Sequence, residues 1–324
     1  MSVLMKSRSV LAIGILTLAL GLSGCQRGGS SGTSSPSRSV AVTSPTAASF
    51  PVTLTDDDGV AVTLAEAPQR IITFAPSNTE IVFALGLGDR LVGVSGAYDD
   101  YPPEAKSIDQ IGGSGDFGQN PNEERVVALH PDLMLAISGG EQWKEQLRAL
   151  GIAVFTINAT DFEDLLNDIR TVGALTGAAT QAESLTQEMG SRADEIQAKL
   201  AAKPVVSCFF EAYYPPLTTV GPHTFIADLL ARAGCRSVSD GADSDYPEWS
   251  VDRLVADSPD VYLVASESGV SPDAVAQRPG FGGIEAVQAG RVYLVDSDLI
   301  SRPGPRVVDG LIALARLLHP EAFG

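Results

Sequence analysis

Histidine and cysteine are scarce in this chain, with three of each among 324 residues. His130, His223 and His319 fall in separate segments, so a bare transition metal lacks the converging nitrogens it needs, and no resident metal or cofactor is expected. No cysteine pair has zinc spacing, and there is no Gly-x-Ser-x-Gly elbow, His-Glu-x-x-His helix or phosphate loop. An enzyme is therefore not expected. Positive charge is also short: 22 Lys and Arg stand against 40 Asp and Glu, a formal net charge of −18. A surface of that sign repels nucleic acid, which is excluded as a partner of the folded part. Gly86-Leu87-Gly88 invites a dinucleotide reading, but it ends a helical stretch where a nucleotide loop would open one.

The apolar run Val10 to Leu22 follows Lys6 and Arg8 and leads into small residues, the order of an export signal. It is short for a membrane span. Leu22-Ser23-Gly24-Cys25 resembles the bacterial lipobox, which implies a signal peptide over residues 1–25 and a lipid on Cys25. The expected location is extracytoplasmic, with the chain lipid-anchored to the cell membrane on its periplasmic side or at the cell surface. Cleavage removes two bases and no acid, leaving about 20 net negative charges. Residues 26–49 are rich in Gly, Ser, Thr, Pro and Ala and read as a flexible tether. Cys208 and Cys235 remain. The compartment permits a disulfide between them, but two buried free thiols are expected because Cys208 lies inside an apolar run.

Folded sequence begins near Phe50. Val52-Thr53-Leu54 and Val60-Ala61-Val62-Thr63-Leu64 flank Asp56-Asp57-Asp58-Gly59 as hairpin strands would. The three aspartates lack the later acidic ligand of a calcium loop and read as a solvated turn. Arg70 to Phe74 suits a buried strand; Ser77 and Glu80 have capping-box spacing ahead of a helix from Ile81 to Leu85; Leu91 to Val94 is the next strand. Further on, Arg125–Ala136 aligns without gaps on Arg253–Val264, at an offset of 128 residues. Each copy reads as a helix stopped by proline and then a buried strand, with a further strand introduced by Gly151 or Gly290. Two related α/β halves follow.

Between the halves lie Thr160 to Leu175, helical with a Thr160/Glu163 cap, and a longer helix over Gln181–Ala202 with a Thr180/Glu183 capping box and Pro204 as its stop. Ala182, Leu185, Met189, Ala193, Ile196 and Leu200 form its apolar stripe, and 22 residues span about 33 Å. The expected layout is an N-terminal α/β lobe over 50–178, a backbone helix over 179–203 acting as a rigid strut, and a C-terminal α/β lobe over 204–324. His130 and His319 precede prolines at helix ends, where a C-capping role accounts for them.

That order, with the blocks Arg70–Glu80, Val94–Ala105, Asn122–Arg125 and Arg302-Pro303-Gly304-Pro305-Arg306, resembles the cluster III substrate-binding proteins of ABC importers, from about Phe50 to the end. The block Tyr98–Ala105 is most similar to the cobalamin (vitamin B12)-binding members. The resemblance implies two Rossmann-like lobes joined by one long helix, the helical-backbone type of metal-chelate receptor, with ligand in the inter-lobe cleft. It implies aromatic ligand contacts at Tyr98, Phe117 and Tyr246, with Tyr213 and Tyr214 near a further aromatic position that Leu217 fills. Polar contacts are implied at Asp298 and Arg302. His223, between a turn and a helix, is a further candidate contact. One acid per lobe is implied to dock on arginines of the permease dimer: Glu124 and, 128 residues later, Asp252. The expected protein is a monomeric receptor for cobalamin or another metal chelate. Heme or a ferric siderophore is the alternative cargo, and an enzyme on a similar two-lobed scaffold the remoter one.

Overall fold

A computed structural model describes residues 49–112 and 120–323. The signal peptide, nearly all of the tether, Cys25 and Phe117 lie outside the described residues.

The chain opens with a hairpin, β1 (Val52–Thr55) and β2 (Ala61–Leu64), paired antiparallel. Its turn is solvated as expected at Asp57, Asp58 and Gly59, but its side chains are also anchored. Asp56 is buried and accepts from the Thr156 amide, Asp58 takes the ammonium of the fully buried Lys144 at 2.7 Å, and Asp57 accepts from the Asn158 amide. The turn is thus bolted onto the first lobe. An acidic triplet is polar enough for solvent, but here a lysine and an arginine from a helix some 90 residues away meet it.

The first lobe then runs through β3 (Ile71–Thr73), α1 (Pro76–Ala84), β4 (Leu91–Gly93), α2 (Glu123–Ala128), β5 (Leu133–Ala136), α3 (Glu141–Ala149), β6 (Ala153–Thr156) and α4 (Phe162–Thr176). Helix α5 (Ala179–Leu200) follows. The second lobe comprises β7 (Val206–Glu211), α6 (Phe225–Arg232), β8 (Cys235–Ser237), α7 (Val251–Asp257), β9 (Val261–Ala265), the short helices α8 (Pro272–Ala276), α9 (Glu285–Gln288) and α10 (Ser297–Ile300), β10 (Val292–Val295) between the last two, and α11 (Val307–Leu318). The sheets have orders β4-β3-β5-β6 and β8-β7-β9-β10, all parallel, so strand for strand they are copies. β3, β5, β7 and β9 are wholly or largely buried, as strands covered on both faces must be.

The repeat reaches into backbone detail. Asn122 and Ser250 cap α2 and α7 by accepting from the amides of Arg125 and Arg253. His130 and Ser258 both take the left-handed conformation just before proline, at φ 46° and 47°. Asp132 and Asp260 accept from backbone amides at the start of β3 and β7 respectively. Each of these pairs is 128 residues apart.

Helix α5 has the expected 22 residues but begins at Ala179. Thr180 caps nothing: α4 ends on Gly177 in the left-handed conformation, and Ala178 is the only further residue before α5, so Thr180 is already inside the helix. Glu183 instead pairs with Arg170 at 3.2 Å. Thr186, not Leu185, joins Ala182, Met189, Ala193, Ile196 and Leu200 on the buried face. Other caps differ by the same logic. Asp161, one residue past Thr160, caps α4, and α1 begins at Pro76 with no side-chain cap, leaving Glu80 free for other partners. His319 does end α11 as its C-cap.

The two cysteines are joined, contrary to the free thiols expected. β7 and β8 are parallel neighbours with Val206 opposite Cys235 and Cys208 opposite Ser237, which brings the two Cα atoms to 5.9 Å. That adjacency depends on the crossover through α6, which the apolar run around Cys208 does not announce.

Candidate functional site

In parallel sheets of this order the crevice lies at the carboxyl ends of the strands, where connections leave in opposite directions. Those ends in the first lobe carry the segments after β3 to β6; in the second lobe they carry the segments after β7 to β10. The two sets meet directly. Arg306, N-cap of α11, donates to both carboxylate oxygens of Glu80 on α1 at 2.6 and 2.9 Å, and stacks 3.9 Å from the Tyr101 ring centre. Arg302 reaches Asp298 at 2.6 Å, Asp100 at 3.3 Å and Glu80 at 3.8 Å. Burial raises the Glu80 carboxyl above its ordinary value, with Arg306 and then Arg302 pulling it back; the hydrogen bonds to Glu80 raise the Arg306 guanidinium and keep it charged.

The segment bearing Tyr98 is shaped by its neighbour. Asp99, buried, accepts from the Gly96 amide at 3.0 Å and from the hydroxyls of Ser95 and Thr79, which ties the loop to α1 and turns Tyr98 outward. In the second lobe, Thr218 pairs with Tyr213 and bridges Glu248, while the Thr219 amide donates to the Pro247 carbonyl, so the loops of Tyr213 and Tyr246 are stitched together. Gly221 makes this possible: a Cβ there would lie 2.0 Å from the Ser244 carbonyl oxygen. Eight large apolar or aromatic residues are exposed among the described residues, and four are Tyr98, Tyr101, Tyr213 and Tyr246, all on these strand-end loops.

Other candidates are placed differently. Tyr214 is half-buried, edge-on to Phe281 and under Arg278 at 4.0 Å, itself held bidentately by the buried Glu211; its packing is internal to the lobe. Asp298 is engaged by Arg302. His223 is exposed and lines an open recess of about 530 Å³ with Thr160, Asp161, Asp228 and Asp240, where α4 meets α6. Asp228 accepts from the Phe162 amide at 3.0 Å across that junction. Glu124 and Asp252 stand exposed in the first turns of α2 and α7. Residues missed in the sequence are Glu80, Asp99, Asp100, Tyr101 and Arg306. All lie within or beside the blocks that carry the resemblance, which was the available signal.

Comparison with known proteins decides the family: residues 71–299 match the periplasmic binding protein family. The chain belongs to it. The family consists of solute-binding proteins and not of enzymes. The chain is 33% identical over 328 residues to an ABC transporter substrate-binding lipoprotein of Bacillus subtilis (strain 168), covering 98% of this chain and 99% of the relative. It is 32% identical over 289 residues to a cobalamin-binding protein of Halobacterium salinarum, covering 84% and 75%. Among solved structures, the periplasmic vitamin B12 binding protein of Vibrio cholerae has the same fold, at TM-score 0.70 and 23% identity, over 79% of this chain and 98% of that one. A possible iron-binding (periplasmic solute-binding) protein from Staphylococcus epidermidis has TM-score 0.69 and 29% identity, over 78% and 100%. The fold is thus that of these receptors, two α/β lobes joined by one long helix.

Proposed function

We propose that this substrate-binding protein captures a corrinoid, cobalamin in the first place, between its lobes and delivers it to the permease of an ABC importer. The carrying observation is the set of exposed tyrosines at the cleft loops, Tyr98, Tyr101, Tyr213 and Tyr246. Aromatic rings left in solvent on strand-end loops of both lobes suit a wide, flat ligand, because they bury large areas at small entropic cost. The charges support a neutral, amide-bearing cargo over an anionic one. Arg302 and Arg306 are answered by Glu80, Asp100 and Asp298, so the cleft offers no surplus of positive charge to heme propionates or an anionic ferric siderophore. The cobalamin-binding relative points the same way. In this reading the protein has no cofactor of its own, works as an extracytoplasmic monomer and is tethered through a lipid on Cys25.

Calorimetric titration of the soluble form, starting after Cys25, with cyanocobalamin, hemin and a ferric hydroxamate siderophore tests the cargo. Cyanocobalamin is expected to bind and the other two not. Binding of hemin or the siderophore alone would overturn the corrinoid reading, and iron ligation by Tyr98 or His223 would then appear in the hemin spectrum.

A further inference from the structure

Three of the sequence blocks that mark the family, Arg70–Glu80, Val94–Ala105 and Arg302–Arg306, converge on one cross-lobe cluster, and only part of it is explained by ligand contact. Arg302-Pro303-Gly304-Pro305-Arg306 connects α10 to α11. Two prolines fix φ on either side of Gly304, so the segment is stiff. Gly304 packs against α1: a Cβ on it would be in ordinary contact with a Glu80 carboxylate oxygen at 3.4 Å and the Ser77 carbonyl at 3.6 Å. The stiff segment thus rests on the first lobe, with an arginine at each end.

The partners of those arginines are unequal. The Glu80 side chain is 2% exposed and holds Arg306 with two hydrogen bonds, leaving an oxygen within 3.8 Å of Arg302. The Asp100 side chain is 41% exposed and meets Arg302 at a single 3.3 Å contact. A buried bidentate carboxylate is costly to separate, whereas a half-exposed single contact is worth little. Asp298 is as exposed as Asp100, at 44%, but lies one helical turn from Arg302 in the chain and meets it at the shorter 2.6 Å, and Arg302 itself is 10% exposed, so it is already desolvated.

We propose that Glu80 is a positioning residue that clasps the Arg302–Arg306 segment across the lobes and keeps the cleft assembled without ligand, and that Asp100 is the exchangeable partner on Arg302, displaced by a carbonyl or carboxylate oxygen of the arriving ligand. The exchange conserves hydrogen bonds: Arg302 gives up one acceptor and gains another while Asp298 and Glu80 stay in place. This rests on the cleft reading above but not on the identity of the cargo.

The test uses the soluble form and its Asp100→Asn and Glu80→Gln variants, titrated with cyanocobalamin, hemin and a ferric hydroxamate siderophore, with small-angle scattering of each ligand-free protein. Asp100→Asn removes the competing charge from an exposed position and is expected to tighten binding of whichever probe the wild type binds by about threefold or more. A purely structural role for Asp100 would leave affinity unchanged or weaker, and either result overturns the exchange. Glu80→Gln is expected to weaken binding about tenfold or more and to enlarge the ligand-free particle, because the clasp loses its charge. Wild-type affinity and wild-type scattering in that variant overturn the clasp. Should Glu80→Gln fail to fold, Arg306→Lys, which keeps the charge but cannot bridge both oxygens, is read against the same two measurements. If the wild type binds none of the probes, the proposed function and the Asp100 exchange both fail, while the scattering comparison decides the clasp.

Discussion

Asp168 carries a pH dependence that falls in the neutral range. It sits on α4 beneath the hairpin turn, and burial first, then the charges of Asp57 and Asp164 and a hydrogen bond with Asp57, push its carboxyl up to about 8 from 3.8. Asp57 is raised as well, chiefly by burial, against the pull of the Asn158 amide. The folded protein therefore holds a proton that the unfolded chain releases near 3.8. Between about pH 4 and about pH 8 folding takes up that proton, so stability falls as pH rises through the window and levels off above it, at up to about 1.4 kcal/mol per pH unit. The melting temperature of the soluble form is expected to drop from about pH 5 to about pH 9. Asp168→Asn, which keeps the shape without the charge, is expected to flatten that drop; an undiminished slope in the variant would show that the proton resides elsewhere.

At the scale of elements, α5 earns its central place through close contact with α4 on one side and α11 on the other, the latter fastened by the Arg192–Asp309 pair. Gly173 on α4 marks the tightest approach: a Cβ there would lie 2.4 Å from the Cβ of Ala182 on α5. Helix propensity alone favours alanine over glycine by about 1 kcal/mol, while forcing a methyl into a filled contact costs about 1–3 kcal/mol. The two effects have opposite signs, and the contact is expected to win. Gly173→Ala should lower the urea midpoint, and a raised midpoint would mean that α4 and α5 do not pack this closely. The helix itself was legible because its stripe of Ala182, Met189, Ala193, Ile196 and Leu200 repeats at helical spacing and depends on nothing outside it. Its cap was not, because the chain enters α5 straight from the Gly177 corner of α4. The partners of Glu80 and of the aspartate turn were missed for a related reason: Arg306, Lys144 and Arg148 come from distant sequence, and local spacing cannot name them.

For the whole molecule, the 128-residue repeat was readable because it lives in strand and helix order, which the fold preserves. The same repeat pairs Glu124 with Asp252. Each acid stands exposed in the first turn of its helix, two residues after a capping side chain, at corresponding places on copied lobes. A favourable helix dipole alone would explain an acid at either position. It does not explain why, among the described residues, neither acid forms an ion pair although Arg125 and Arg253 follow them directly. We propose that these two acids dock on basic residues of the permease dimer, one from each copied lobe. Reversing both charges, Glu124→Arg with Asp252→Arg, is therefore expected to abolish ligand uptake by cells while calorimetric affinity for the ligand stays at the wild-type level, since both side chains stand exposed on the first turns of α2 and α7. Each single reversal should give an intermediate loss. Uptake unaffected by the double reversal would remove these acids from the docking surface, and a loss of uptake accompanied by an equal loss of affinity would mean that the lobes, and not the docking, had been damaged.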